Sequence, residues 1–138
     1  MANPSVFFDS NILLYTDDQR VPAKQSFALD LVARHTLERT GVISIQVLQE
    51  YFQNATSKMK LDASIARQKV SLLSELFTFR PVVDDILAAI DLHRLNQVSF
   101  WDAMIVQAAI QSGCKTLYSE DMQNGRQING VEIVNPFL

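Results

Sequence analysis

The chain has 138 residues, 48% of them hydrophobic, with a formal net charge of −3 and a pI of about 5.2. That length suits a single domain, residues 1–138, around one core, and its apolar runs are far too short to span a bilayer. The acidic balance weighs mildly against a broad basic surface as the means of holding nucleic acid, although a bound cation would restore positive charge locally.

Strands and helices alternate along the chain. Residues 5–9 form a short apolar strand, and residues 11–15 begin a helical turn capped by Ser10 or Asn11. After a polar loop, Pro22 fits the first turn of a helix reaching about Arg39, with Phe27, Ala28, Leu31 and Val32 on one face. Gly41 ends that helix, and Val42, Ile43 and Ser44 make the second strand. The next helix, about 45–59, puts Val47, Leu48, Tyr51, Phe52 and Ala55 on one face, with Glu50 at its border. A further helix spans about 63–77, with Ile65, Leu72, Leu73 and Leu76 inward. Residues 79–83 read as a strand, which Pro81 restricts to an edge. Helices follow over 84–95 and 100–112, the second ended by Gly113. Residues 115–118 and 131–134 are the last strands. The helix from Phe100 is apolar nearly all round and is expected to be the most buried. This alternation implies an α/β fold with a mainly parallel sheet covered on both faces.

Four carboxylates fall where such a fold converges. Ligand sites in parallel sheets lie beyond the carboxyl ends of the strands. Asp9 and Asp121 fall at or just past such ends. Glu50 lies in the first turns of the helix leaving the second strand, and Asp102 lies in the first turn of its own helix. Oxygen donors suit hard divalent cations such as Mg²⁺ or Mn²⁺. Acids held together without a cation repel one another.

Each acid also has a plain structural reading. Asp9 fits an Asx turn, Glu50 a solvated helix residue, and Ser99 with Asp102 a capping box. Asp121 fits a turn. Their shared rim lifts the set above these readings. His35 and His93 lack partners at metal-ligand spacing and read as surface or packing residues. Phe100 and Trp101 read as core anchors rather than base-stacking platforms. Lys58, Lys60, Arg67 and Lys69 make a basic stretch, ordinarily a solvated face; Lys58, Lys60 and Arg67 are the candidates for guiding a nucleic-acid backbone. Cys114, the only cysteine, excludes an internal disulfide, fits a reducing compartment and reads as a buried, inert thiol. The opening Met1-Ala2-Asn3-Pro4 lacks the basic-then-apolar pattern of a signal peptide, so a cytoplasmic location is expected.

The local sequences carry a resemblance over nearly the whole chain. Phe8-Asp9-Ser10-Asn11, the run 45–50, Ser99-Phe100-Trp101-Asp102-Ala103, the run 117–122 and the ending 133–137 stand in the order and spacing of a PIN domain. More narrowly, the chain resembles the small bacterial toxins of the VapC type. The resemblance implies a three-layer α/β/α sandwich and a Mg²⁺- or Mn²⁺-dependent endoribonuclease. Its four acids would be Asp9, Glu50, Asp102 and Asp121, with Asn11 and Ser119 as polar helpers. Asp9, Asp102 and Asp121 would be direct metal ligands; Glu50 would ligate a second metal or orient the water. It further implies a homodimer held inactive by a cognate antitoxin. The rivals are a housekeeping RNA-processing nuclease of the same fold, a haloacid-dehalogenase-like phosphatase and a non-catalytic partner-binding domain. The phosphatase needs a second Asp where this chain has Asn11. A receiver domain needs paired acids after the first strand and a late Lys, and neither is evident.

Overall fold

The computed structural model describes residues 5–138; the reading of Met1–Pro4 lies outside them. The elements are β1 (Val6–Phe8), α1 (Ser10–Tyr15), α2 (Pro22–Leu37), β2 (Gly41–Ser44), α3 (Ile45–Ser57) and α4 (Ala63–Leu73). There follow β3 (Phe77–Phe79), α5 (Val83–Asn96), α6 (Phe100–Gln111), β4 (Thr116–Tyr118), β5 (Gln127–Ile128) and β6 (Val131–Val134). They form one sheet in the order β3-β2-β1-β4-β6-β5. Every pairing is parallel except the antiparallel pair of β5 and β6. Helices flank the sheet in a three-layer arrangement, α5 packed on α6, and α1 packed on both α2 and α3, with α4 against α3. Among the described residues no helix is long and apolar enough to cross a membrane.

β1 is the pivot. It pairs with β2 on one side and β4 on the other, so the strand order reverses there. Such a switch point opens a crevice at the carboxyl edge. Phe7 and Phe8 are fully buried, as are Ile43, Leu117 and Ile133 on neighbouring strands. A strand covered on both faces reads as a continuous apolar run, which is the pattern of Val6-Phe7-Phe8. The close fit of β1 to β2 needs Gly41, because a Cβ there would meet the Phe8 ring at 3.1 Å.

Several boundaries differ from the sequence reading. The cap of α1 is Asp9, whose side chain accepts from the Ser10 N–H, rather than Ser10 or Asn11. α2 ends at Leu37, where Arg39 turns the chain with φ of 58°, and Gly41 opens β2 instead of closing the helix. α4 stops at Leu73, and Phe77-Thr78-Phe79 joins the sheet edge. These residues favour a pleated surface, and the edge strand lies just before Pro81 rather than across it. Ile65 and Leu72, expected inward, are exposed, whereas Leu73 is buried. β5 has no counterpart in the sequence reading. Its signal was Asn129-Gly130, with φ of 47° and 86°, the two positive values a tight hairpin turn demands. α6 is as buried as expected over Ala103 and residues 105–109. Trp101 is not a core anchor: it is 63% exposed.

Candidate functional site

The end of β1 delivers Asp9 to the crevice. Its backbone N–H donates to the Tyr118 carbonyl at 3.0 Å, which ties the ends of β1 and β4 together. Asp9 is only 5% exposed. Oδ1 accepts from the Ser10 N–H at 2.8 Å, while Oδ2 accepts from Ser119 Oγ at 2.8 Å and Asn11 Nδ2 at 3.3 Å. Burial pushes its pKa up from 3.8 to about 7, against the lowering pull of the Ser119 and Ser10 hydrogen bonds; the charges of Glu50 and Asp102 raise it further.

Asn11 is the hub between β1 and β4. Its Nδ2 also lies 3.2 Å from Asp121 Oδ2 and 3.4 Å from Ser119 Oγ. Its Oδ1 accepts from the Glu120 N–H at 3.0 Å. The amide therefore fixes both the carboxylates and the loop that carries one of them. Ser119, fully buried just past β4, donates to Asp9 and accepts from the Asp121 N–H at 3.3 Å.

Glu50 enters from α3. Ser10 Oγ donates to its Oε1 at 3.0 Å, and Gln46 Nε2 to its Oε2 at 3.1 Å. Asp102 enters from α6, whose N-cap is Ser99: Ser99 Oγ accepts from the Asp102 N–H at 3.1 Å. Capping is thus the task of Ser99. The Asp102 carboxyl has its pKa raised by burial, opposed by Ser99 and reinforced by the charge of Asp121.

Hydrogen bonds therefore link Asp9 directly to Asn11 and Ser119, and through them to Asp121, while Ser10 joins Glu50 to the group. Among the described residues no hydrogen bond joins Asp102 to this group; its charge couples to Asp9 and Asp121. Among the described residues no three carboxylate, imidazole or thiol groups stand close enough to grip one ion as they are placed. The donor set is nonetheless all oxygen, and the hydrogen bonds to Asp9 come from an amide, a hydroxyl and a backbone N–H rather than from a cation. Mg²⁺ usually takes one or two carboxylates and keeps several waters, so the residues fit a hard cation in ligand type and number.

A fifth acid, Glu120, is diverted from this group. Lys24 Nζ lies 2.6 Å from its Oε2, and Tyr15 Oη donates to its Oε1. Burial opposes its charge, but these two donors hold its pKa below the ordinary range. The site's walls also include Arg20, Asn54 and Lys58, around a cavity of about 230 Å³ shared with Ser10, Asn11 and Asp121. Of the basic candidates, Lys58 lines this cavity. Arg67 lines a different groove, between α3 and α4, and Lys60 is exposed with neither. Lys69 is held by Thr16 and Asp17. His35 is buried against Thr40, and His93 donates to the Val98 carbonyl. Sequence reasoning missed Ser10 and Gln46 as supports of Glu50. Gln46 was legible, being four residues before Glu50 on one helical face. Ser10 was not, because its partner is 40 residues away.

No curated protein matches the chain in sequence. Among solved structures it is similar to Mycobacterium tuberculosis VapC20, a Sarcin-Ricin loop cleaving toxin, at 21% identity. That likeness covers 85% of this chain and 90% of the other, with a TM-score of 0.67. It is also similar to a toxin-antitoxin complex from Klebsiella pneumoniae, at 19% identity over 96% of this chain and 98% of that one, with a TM-score of 0.66. At such identities the likeness shows the fold. The PIN domain family matches residues 6–124, a span that holds all four acids with Asn11 and Ser119. The chain belongs to the PIN domain family.

Proposed function

We propose that this protein is a divalent-cation-dependent endoribonuclease of the VapC type, the toxin of a toxin–antitoxin pair. The observation that carries the reading is the linkage of Asp9, Glu50 and Asp121 through Ser10, Asn11 and Ser119 at the switch point of a PIN fold. Likeness in fold to a Sarcin-Ricin loop cleaving toxin and to a toxin-antitoxin complex supports the toxin assignment. Asp9, Asp102 and Asp121 would hold Mg²⁺ or Mn²⁺. A bound cation supplies Lewis-acid stabilisation of phosphoryl charge and acidifies water. The chain's own residues supply orientation. Asn11 and Ser119 fix Asp9 and Asp121, and Glu50, braced at both oxygens, orients the attacking water. Lys58 in the cavity wall suits a phosphate of an RNA strand, whereas Arg20 in the same wall is held by Asp18 at 2.8 and 2.9 Å. Structured RNA incubated with the protein is expected to be cut with Mn²⁺ and left intact in EDTA. Equal cutting in both would overturn the cation-dependent reading.

Two apolar surfaces support the partners this reading needs. Ile45, Leu48, Phe52 and Val70 line a groove of about 730 Å³ between α3 and α4, suited to an apolar helix of the antitoxin. Val83, Ile86, Leu87 and Ile90 form an exposed stripe at helical spacing on α5, suited to a second copy of the chain. Phe27, Phe52 and Phe77 are also exposed but lie on different elements, and Phe27 packs on Phe137. Light scattering at micromolar concentration is expected to give twice 15.6 kDa, and Leu87→Glu to give the single mass. A wild-type monomer would remove the homodimer from the proposal.

A further inference from the structure

The stripe that buries α6 does not stop where the core stops. Ile105 and Ala108 on that stripe are 1% and 3% exposed, and Trp101 continues it one turn beyond the core. The residue is 63% exposed at the N-terminal end of the helix, the end that carries Asp102. Leaving a Trp side chain in water forfeits the burial that large aromatics ordinarily contribute.

The ring has an aromatic neighbour, and the residue's backbone is tied to the acid group. Phe100 packs edge-on against the ring, with centroids 5.0 Å apart and planes at 69°. The Trp101 carbonyl accepts from Gln46 Nε2 at 3.1 Å, and that same nitrogen holds Glu50 Oε2 at 3.1 Å. One amide thus fastens the Trp101 backbone to one candidate acid, and the peptide bond fastens it to another. An exposed aromatic face one residue before Asp102, in a group proposed to act on phosphodiesters, fits a nucleobase. Unpaired bases of RNA stack on aromatic side chains, whereas bases in a duplex have no free face to offer.

We infer that Trp101, the residue before Asp102, is a stacking platform for an unpaired base of the substrate strand. This inference rests on the nuclease reading above. It assigns to Trp101 the role of a positioning residue on the substrate strand.

Trp101 is the only tryptophan in the chain, so intrinsic fluorescence reports this position alone. The probe is a short single-stranded oligoribonucleotide, with its duplex as the comparison, titrated into the uncleaving Asp9→Asn protein. Emission is expected to be quenched at saturation by the single strand and not by the duplex. Trp101→Ala is expected to weaken single-strand binding about tenfold, within the range for loss of one base–aromatic stack. Trp101→Phe, which keeps a stacking face, is expected to recover most of it, and cleavage by the two variants to change through KM rather than kcat. Unquenched emission in a saturated complex would overturn the inference and leave the nuclease reading standing, as would wild-type affinity and KM in Trp101→Ala. A blue-shifted emission that follows protein concentration and ignores RNA would also overturn it, showing the ring covered by a second copy. Failure of the wild type to bind or cut any RNA form would remove both.

Discussion

Asp9→Asn is expected to abolish RNA cleavage while making the cation-free protein more stable at neutral pH. The folded pKa of Asp9, about 7, stands above the ordinary 3.8 because the carboxylate is buried beside Glu50 and Asp102. A raised folded pKa means that the native state binds the proton more tightly than the unfolded chain. The stability it contributes is complete below about pH 4 and is lost as pH rises through about 7. Wild-type melting temperature in EDTA is therefore expected to fall across that window, and the Asp9→Asn profile to be flatter. Asparagine also keeps the cap on α1, since it accepts from the Ser10 N–H as well as aspartate does. Activity should fall by more than about 100-fold, because even the outer partners of metal ligands are worth about 10–100-fold. Asp102→Asn should behave alike. Its carboxyl is also raised by burial and by Asp121, and the cap of α6 belongs to Ser99. Ser99→Ala is the contrast, expected to cost about 1 kcal/mol of stability and to retain most activity. A destabilised Asp102→Asn that still cleaves RNA would return Asp102 to a structural role.

Phe7→Ala is expected to remove a large share of the protein's stability. Phe7 is fully buried in the central strand, registered against Val42 on one side and Leu117 on the other. Truncating such a ring removes about 3–5 kcal/mol, out of a total that is about 5–15 kcal/mol for a domain. Because Asp9 follows one residue after β1, a loosened strand also misplaces the carboxylate that Ser119 and Asn11 align. Denaturant titration followed by circular dichroism would check it, with a midpoint close to wild type as the contrary result. Phe7→Leu, which keeps most of the buried volume, is expected to lose far less.

That Asp9, Glu50 and Asp121 would come to one edge was legible in the sequence, because strand ends and helix starts in a parallel sheet share an edge. How they meet was not. The bonds from Asn11 to Asp121 and from Ser119 to Asp9 cross 110 residues, and nothing in local periodicity encodes them. The same limit explains Glu120. It neighbours Asp121 in sequence, yet Lys24 and Tyr15, far back in the chain, take its charge. It explains Trp101 as well. Periodicity places its ring on the buried stripe of α6, but only the position of the core's edge decides that the stripe overruns it.

By itself the sequence determined the order of strands and helices, since apolar periodicity, proline and glycine act over a few residues at a time. It set the parallel character of the sheet and the candidate acids. The hairpin of β5 and β6 was also written there, in Asn129-Gly130. Only the tertiary structure decided where α4 yields to the edge strand β3, because a few residues such as Phe77-Thr78-Phe79 take the conformation of whatever ladder they can join. Only it decided which side chains brace each carboxylate, and that α5 keeps an apolar face in water. Those outcomes depend on distances between elements far apart in the chain, and such distances exist only once the core has closed.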